Sequence, residues 1–269
     1  MEEVYVIVYT EKRRDAYEAA QHAKKVLESR GAEVQVYGAG ELIGRRLPGK
    51  VDLIISLGGD GTILKSLGAI GGGETPILGV NFGRGGFLAE VEARMINDAL
   101  ERVLAKDYEV ERILMLSIEA DGKDLGDFLN EAYVSSRVMG KTLQFEIAQG
   151  GERLAEGLAD ALIISTPIGS TAYAFSAGGP IVDDELEAAV LAPVCPLSNL
   201  KPMVLSLKQE LEIAASGDYG FSILLDGFLL RRIDERRIRL RVRRSRRLAH
   251  FVRLGLGRSF ARRVRKKLG

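Results

Sequence analysis

A buried strand that runs into three glycines and then into a helix leaves a chain few choices of fold. Residues 52–67, Asp52-Leu-Ile-Ile-Ser-Leu-Gly-Gly-Asp-Gly-Thr-Ile-Leu-Lys-Ser-Leu, have that form. Leu53 to Leu57 is an apolar run of strand length and Gly58, Gly59 and Gly61 punctuate it. Thr62 stands where it would cap a helix carrying Ile63, Leu64 and Leu67. Such a turn presents backbone N–H groups at the positive end of a helix dipole, where anions bind. A loop meant only for phosphate would avoid a carboxylate, because like charges a few ångströms apart repel strongly in a low-dielectric cleft. Asp60 at its centre therefore predicts a loop that holds phosphate and also moves a proton, against the plainer reading of a turn Asp between glycines. Neither a Walker lysine nor the G-x-G-x-x-G spacing is present.

The elements around this stretch alternate. Val4 to Tyr9 reads as a buried strand, and residues 15–30 place Ala16, Ala19, Ala20, Ala23, Val26 and Leu27 at helical spacing, with Gly31 as the stop. Glu33 to Tyr37 is a strand, residues 62–70 a helix, Ile77 to Asn81 a strand and 93–105 a helix. Alternating β and α predicts a parallel sheet whose ligands sit beyond the carboxyl ends of the strands. A second glycine turn, Asn81-Phe-Gly-Arg-Gly-Gly-Phe-Leu, follows a strand in the same way and adds a cation, Arg84. It reads as a second wall of one nucleotide cleft.

Beyond about residue 108 the pattern changes. Val110 to Ala120, Leu125 to Ser135, Thr142 to Ala148 and Leu154 to Ser165 are strand-like, with hairpin turns at Asp121-Gly122 and Gly150-Gly151. Met203 to Leu207, Glu210 to Ala214, Phe221 to Asp226 and Arg237 to Arg243 continue the series. The fold class expected is an α/β N-terminal Rossmann-like domain, residues 1–107, plus a mostly antiparallel β-sandwich domain, residues 108–250. A tail, 251–269, is expected to pack back on the first domain.

Two polar clusters interrupt the sandwich. Asn130 and Glu131 are consecutive within an apolar run, so at most one is expected to be buried unless a bend turns both. Residues 157–180 gather Ser165, Thr166, Ser170, Thr171 and Ser176 around Pro167, Gly169 and Tyr173. Hydroxyls beside one aromatic face suit recognition of a nucleoside better than of bare phosphate.

Composition narrows the chemistry. The single cysteine, Cys195, excludes an intrachain disulfide and a multi-thiolate metal site. His22 and His250 lie away from the glycine motifs, so a carboxylate is the expected base. No apolar run approaches the roughly 20 residues of a membrane span, and Met1-Glu-Glu-Val-Tyr lacks signal-peptide form, which predicts the cytoplasm. Residues 236–269 hold 15 of the 38 Lys and Arg and no acid, leaving 23 bases against 37 acids before them. Ile238, Leu240 and Val242 alternate with arginines, so this segment reads as a half-exposed strand followed by packing residues rather than a nucleic-acid arm.

Gly58-Gly59-Asp60-Gly61-Thr62 resembles the signature shared by NAD kinases, diacylglycerol- and sphingosine-type lipid kinases and, with Ser for Thr, phosphofructokinases. The N-x-G-x-x-G-F-L segment from Asn81, the Asn130-Glu131 pair and the T-P-x-G-S-T-A-Y-x-x-S-x-G-G-P stretch from Thr166 resemble the NAD kinase family specifically. That resemblance implies transfer of a phosphoryl group from ATP or polyphosphate, with Mg²⁺ or another divalent cation, to the adenosine 2′-hydroxyl of NAD. It implies Asp60 as catalytic base, and Gly59, Asp60, Gly61, Thr62, Asn130, Glu131, Asp160, Thr171, Ala172, Tyr173 and Ser176 at the substrates. Lys65 and Lys141 occupy positions where the family often supplies a basic contact, no metal ligands are assigned, and a homodimer or homotetramer is implied. Two departures concern the far part of the pocket. Pro196-Leu-Ser-Asn-Leu-Lys-Pro lacks the His that many bacterial members carry, and Phe228 stands where Gln often follows Asp226-Gly227. The rival readings are a lipid or sugar-phosphate kinase sharing the glycine loop, or an anionic-polymer binder acting through the basic tail.

Overall fold

The computed structural model describes residues 3–47, 49–70, 74–83, 86–255 and 260–268. The chain forms two compact units, residues 1–113 with 248–269, and residues 114–247.

In the first unit β1 (Val4–Tyr9), β2 (Glu33–Gly38), β3 (Leu53–Gly58) and β4 (Ile77–Asn81) form a parallel sheet in the order β2-β1-β3-β4. The short β5 (Val91–Glu92) pairs with β4. Every residue of β3 and β4 is buried, as a parallel strand covered on both faces requires. Helices α1 (Arg14–Glu28) and α3 (Ile96–Leu104) cover one face, where Ala20, Leu27, Leu100 and Val103 meet Ile55 and Leu57. Ser56 points to the opposite face by strand alternation and lies 3.4 Å from the Ser66 hydroxyl, which puts α2 (Asp60–Ala69) on that side.

The strand and helix positions expected here agree with the sequence reading to within a few residues, with one correction. Thr62 does not cap α2. Gly59 is the cap residue, Asp60 is already helical, and Thr62 is buried one turn in. A Cβ on Gly58 would fall 2.2 Å from Thr62 Oγ1, so the threonine occupies the space that the glycine leaves. The end of the long strand Arg237–Arg253 also joins this unit, with Phe251 paired parallel to Ile77. Arg253 donates to Glu111 at 2.6 Å and to the buried Glu90 at 3.4 Å, and Glu90 accepts the Leu254 N–H at 3.3 Å. A carboxylate this deeply buried needs such partners.

The second unit is a sandwich of two mostly antiparallel sheets. Its strands are β6 (Glu109–Ala120), β7 (Lys123–Phe128), β8 (Glu131–Ser136), β9 (Leu143–Gln149), β10 (Glu152–Ala159) and β11 (Ala161–Ser165). They continue with β12 (Ala188–Val194), β13 (Met203–Ser206), β14 (Leu211–Ser216), β15 (Phe221–Leu225), β16 (Leu229–Ile233) and β17 (Arg237–Arg253). One sheet runs β10-β9-β14-β17-β6-β7 and the other β13-β12-β11-β8-β15-β16. Phe128, Phe145, Leu162, Leu191, Phe221 and Leu240 lie in the core between them. Ile238, Leu240 and Val242 of β17 are buried and the arginines between them exposed, which is the alternation read from the sequence.

The sequence reading needs correction at five places. The run Leu125–Ser135 is two strands, β7 and β8, interrupted at Leu129-Asn130, and Leu154–Ser165 is β10 and β11, interrupted at Asp160. β12 and β16 were not expected, and β17 continues ten residues past Arg243. Among the described residues no helix is long and apolar enough to cross a membrane.

Candidate active site

In the first unit the glycine loop after β3 leads directly into α2 at Asp60. Asp60 sits in the first turn of α2, where the helix dipole favours a negative charge. Its two carboxylate oxygens accept the N–H groups of Phe87 at 2.8 Å and Leu88 at 3.0 Å. The side chain is thus oriented from two directions, by its own helix and by the backbone of the second glycine turn.

The three glycines of the loop are not equivalent. Gly58 is required by packing against Thr62. At Gly59 and Gly61 an added Cβ would meet nothing within 4 Å, and neither has a positive φ. Among the described residues nothing requires glycine at either position, which leaves bare backbone there for close approach by a ligand. Lys65 is half-buried on α2, one turn beyond Gly61 and on the same helix face. Arg84 lies outside the described residues.

In the second unit the other cluster forms around the buried carboxylate of Asp226, which the sequence reading gives only as the end of a strand. Asp226, at the end of β15 with φ +49, accepts backbone N–H groups from Leu129 at 2.9 Å, Asn130 at 2.7 Å and Glu131 at 3.3 Å. In return Asp226 donates its own N–H to the Glu131 carbonyl at 2.9 Å. These bonds break the strand between β7 and β8 and make the bend that buries Asn130 and Glu131 together, at 9% and 8% exposure. The signal was an Asp-Gly after an apolar strand, which reads equally as an ordinary hairpin turn.

Glu131 is electrostatically unusual. Burial pushes its carboxyl up to about 7, the Asp226 charge adds to the rise, and the Tyr173 N–H opposes it. Burial likewise raises Asp226 to about 6 against the pull of the three backbone amides. Glu131 Oε2 is buried with no hydrogen-bond partner among the described residues.

The hydroxyl-rich stretch corrects another expectation. Ser165, Thr166 and Ser170 do not face outward. Ser165 donates to the Asn130 carbonyl at 3.0 Å, Thr166 donates through its hydroxyl to the Leu129 carbonyl and accepts the Gly169 N–H at 3.0 Å, and Ser170 accepts the Val182 N–H at 2.9 Å. All three are fully buried, so these hydroxyls build the loop and hold it against the Asn130 bend. A Cβ on Gly169 would come within 2.1 Å of the Asn130 carbonyl oxygen, which shows how closely the two segments approach. Thr171 is buried and bonded to the Ile168 carbonyl at 3.1 Å.

The outward groups are Tyr173 and Ser176, both on the short helix α4 (Tyr173–Ser176). Ala172 is half-buried just before it. The Tyr173 ring stacks on Tyr133 with centroids 5.4 Å apart, a partner the sequence did not suggest. Burial raises the Tyr133 hydroxyl, and the Tyr173 hydroxyl, through its charge and a hydrogen bond, and the half-buried Asp160 raise it further. The second unit therefore brings together Asn130, Glu131, Thr171, Ala172 and Tyr173, with Asp160 close enough to Tyr133 to be felt electrostatically. Lys141 is exposed before β9, with its ammonium 5.6 Å from the centre of the Tyr219 ring.

Comparison with known proteins covers both units. Residues 3–108 match the family model described as ATP-NAD kinase N-terminal domain, and residues 129–254 match the one described as ATP-NAD kinase C-terminal domain. The chain is 41% identical over 223 residues to an NAD kinase of Methanothermobacter thermautotrophicus, covering 81% of this chain and 76% of the relative. It is 37% identical over 207 residues to an NAD kinase of Methanopyrus kandleri, covering 77% and 74%. Among solved structures, an NAD kinase from Archaeoglobus fulgidus in complex with ATP has a TM-score of 0.79 at 30% identity, covering 98% of this chain and 99% of that one.

Proposed function

Because the chain belongs to the NAD kinase family and phosphorylates NAD to NADP, we propose that Asp60 is the base that takes the proton from the adenosine 2′-hydroxyl. As the proton leaves, the hydroxyl oxygen forms its bond to the donor's terminal phosphorus, and the bond from that phosphorus to the leaving phosphate breaks. A ribose hydroxyl is a poor nucleophile at neutral pH, so a base within hydrogen-bond reach is needed. The observation that carries this reading is the Asp60 carboxylate, fixed at the start of α2 by the Phe87 and Leu88 amides beside two glycines whose missing side chains the fold does not use. The lipid and sugar-phosphate kinase readings share only the glycine loop, whereas the family match extends over residues 129–254.

In the same proposal the donor phosphates lie along the Gly59, Gly61 and Thr62 backbone with Lys65 nearby, and Asn130, Glu131, Asp160, Thr171, Ala172, Tyr173, Ser176 and Lys141 serve the dinucleotide. Among the described residues no three His, Cys, Asp or Glu side chains converge on a common point. In this proposal a divalent cation is carried by the donor's phosphates, whose charge it would neutralise when bound. ATP is the proposed donor, in line with the ATP complex of the Archaeoglobus relative. Family membership also underlies the proposal of a cytoplasmic homodimer or homotetramer.

The test is Asp60→Asn, assayed for NADP formed. Turnover should fall by about 10²- to 10⁴-fold while NAD affinity measured by calorimetry stays close to wild type. Unchanged turnover would remove Asp60 from the mechanism. Crossing ATP and polyphosphate with NAD and NADH in the same assay decides donor and acceptor.

A further inference from the structure

The last helix, α5 (Phe260–Leu268), makes contacts that neither the reaction nor the composition of the basic segment accounts for. The Arg263 guanidinium lies over the face of the Phe87 ring, 5.0 Å from its centre. Phe260 meets the same ring edge-on, with centroids 6.4 Å apart. Phe87 is also the residue whose N–H donates to Asp60 at 2.8 Å, and the next N–H, that of Leu88, takes the second carboxylate oxygen at 3.0 Å. The residue before them has no room for a side chain, because a Cβ on Gly86 would fall 2.8 Å from Asp60 Oδ1. Residues 86–88 are therefore the cradle of the carboxylate, and the aromatic ring in that cradle, Phe87, packs against α5.

From this we infer that α5 is a clamp on the reaction's base: Arg263 and Phe260 hold the Phe87 ring, and through it the backbone amides that aim Asp60. The inference rests on the assignment of Asp60 as base. A cation over an aromatic face and an edge-on ring pair each contribute modestly, but they act on a short segment with glycine on its amino-terminal side. Without the clamp the two amides sample wider positions and the carboxylate spends less time aimed at the hydroxyl, a kind of misplacement to which turnover is sensitive. Phe87, Phe260 and Arg263 are positioning residues, since none is assigned a contact with substrate. The positive charge of this segment then has a purpose inside the unit that carries it.

The experiment uses the full chain. Phe87→Leu removes the ring, Phe87→Tyr keeps it, and Arg263→Gln removes the cation from the other side. Expected for Phe87→Leu is a fall in kcat of about 10- to 100-fold with KM for NAD within about twofold of wild type, restored by Phe87→Tyr. Arg263→Gln should lower kcat about three- to tenfold and speed hydrogen exchange at the Phe87 and Leu88 amides, a readout available even if Phe87→Leu folds poorly. In an Asp60→Asn background Phe87→Leu should have no further effect, because the group it positions is already disabled. A second loss of similar size in that background, wild-type kcat in Phe87→Leu, or unaltered exchange in Arg263→Gln would each overturn the clamp. If Asp60→Asn is inactive while Phe87→Leu is fully active, the clamp fails and the base stands; if Asp60→Asn retains wild-type turnover, the base assignment itself fails.

Discussion

The Asp226 carboxylate accepts the Asn130 N–H at 2.7 Å, joining residues 96 positions apart in the chain. With the bonds from Leu129 and Glu131, this one side chain determines that two consecutive strand residues bury together instead of facing opposite ways.

Asp226→Asn tests that relationship. The amide keeps one acceptor oxygen but turns an NH₂ toward backbone donors, leaving at least one buried N–H unpaired. The expected cost is about 2–4 kcal/mol in urea unfolding, with weaker NAD binding in whatever remains folded. Wild-type stability would mean the bend holds without the carboxylate.

A pH dependence follows from Glu131, whose ordinary value of 4.5 is pushed up to about 7 by burial, with the Asp226 charge adding to it. The folded state binds this proton more tightly than the unfolded one. The stability it contributes is fully present below the ordinary value and is lost as pH rises through about 7. Asp226, raised to about 6, acts with the same sign. Glu131→Gln cannot ionise, so it should gain on wild type by up to about 3 kcal/mol between roughly pH 4.5 and 7.5, read as melting temperature across a pH series. Parallel curves for the two proteins would contradict the assignment.

Gly61→Ala should separate stability from activity. The position is in the first turn of α2, open to solvent and without positive φ, so alanine should stabilise the protein by about 0.5–1 kcal/mol. Turnover should nevertheless fall about tenfold or more if, as proposed, the donor's phosphates approach the backbone where the methyl group would stand. An alanine variant that is more stable and equally active would move the phosphate site elsewhere.

Tyr173→Ala removes the stacked ring that faces outward from Tyr133. The side chain is 46% exposed, so the fold should lose less than about 1 kcal/mol, while KM for NAD rises roughly tenfold and kcat changes little. Steady-state kinetics and a melting curve check both parts, and a loss confined to kcat would argue against a binding role.

The α/β alternation was legible because Val4 to Tyr9 and Leu53 to Leu57 are continuous apolar runs of strand length and α1 repeats alanine at three- and four-residue spacing. The motif residues were legible too, since Asp60 between glycines and the Asn130-Glu131 pair break those patterns. What could not be read is whatever depends on distant partners. The Asn130-Glu131 pair marks the run 125–135 but does not by itself show that the strand stops there, because the break is made by the distant Asp226. The hydroxyls of Ser165, Thr166 and Ser170 look the same in sequence whether they meet a ligand or, as here, a carbonyl or amide of their own chain. Ala188–Val194 is hard to read as a strand because alanine and proline are poor strand markers, although it pairs with β11 on one side and β13 on the other.

The passage of β17 from one unit into the other has a bearing on biosynthesis. Val252 and Leu254 belong to the apolar core beneath α1 and α3, and Phe251 lies beside Ile77, yet the ribosome adds them only after the whole sandwich has been translated. Folding of this unit during synthesis should therefore leave its sheet and apolar core incomplete until those residues emerge. A nascent chain stalled before Leu248 should be protease-sensitive in its oldest part.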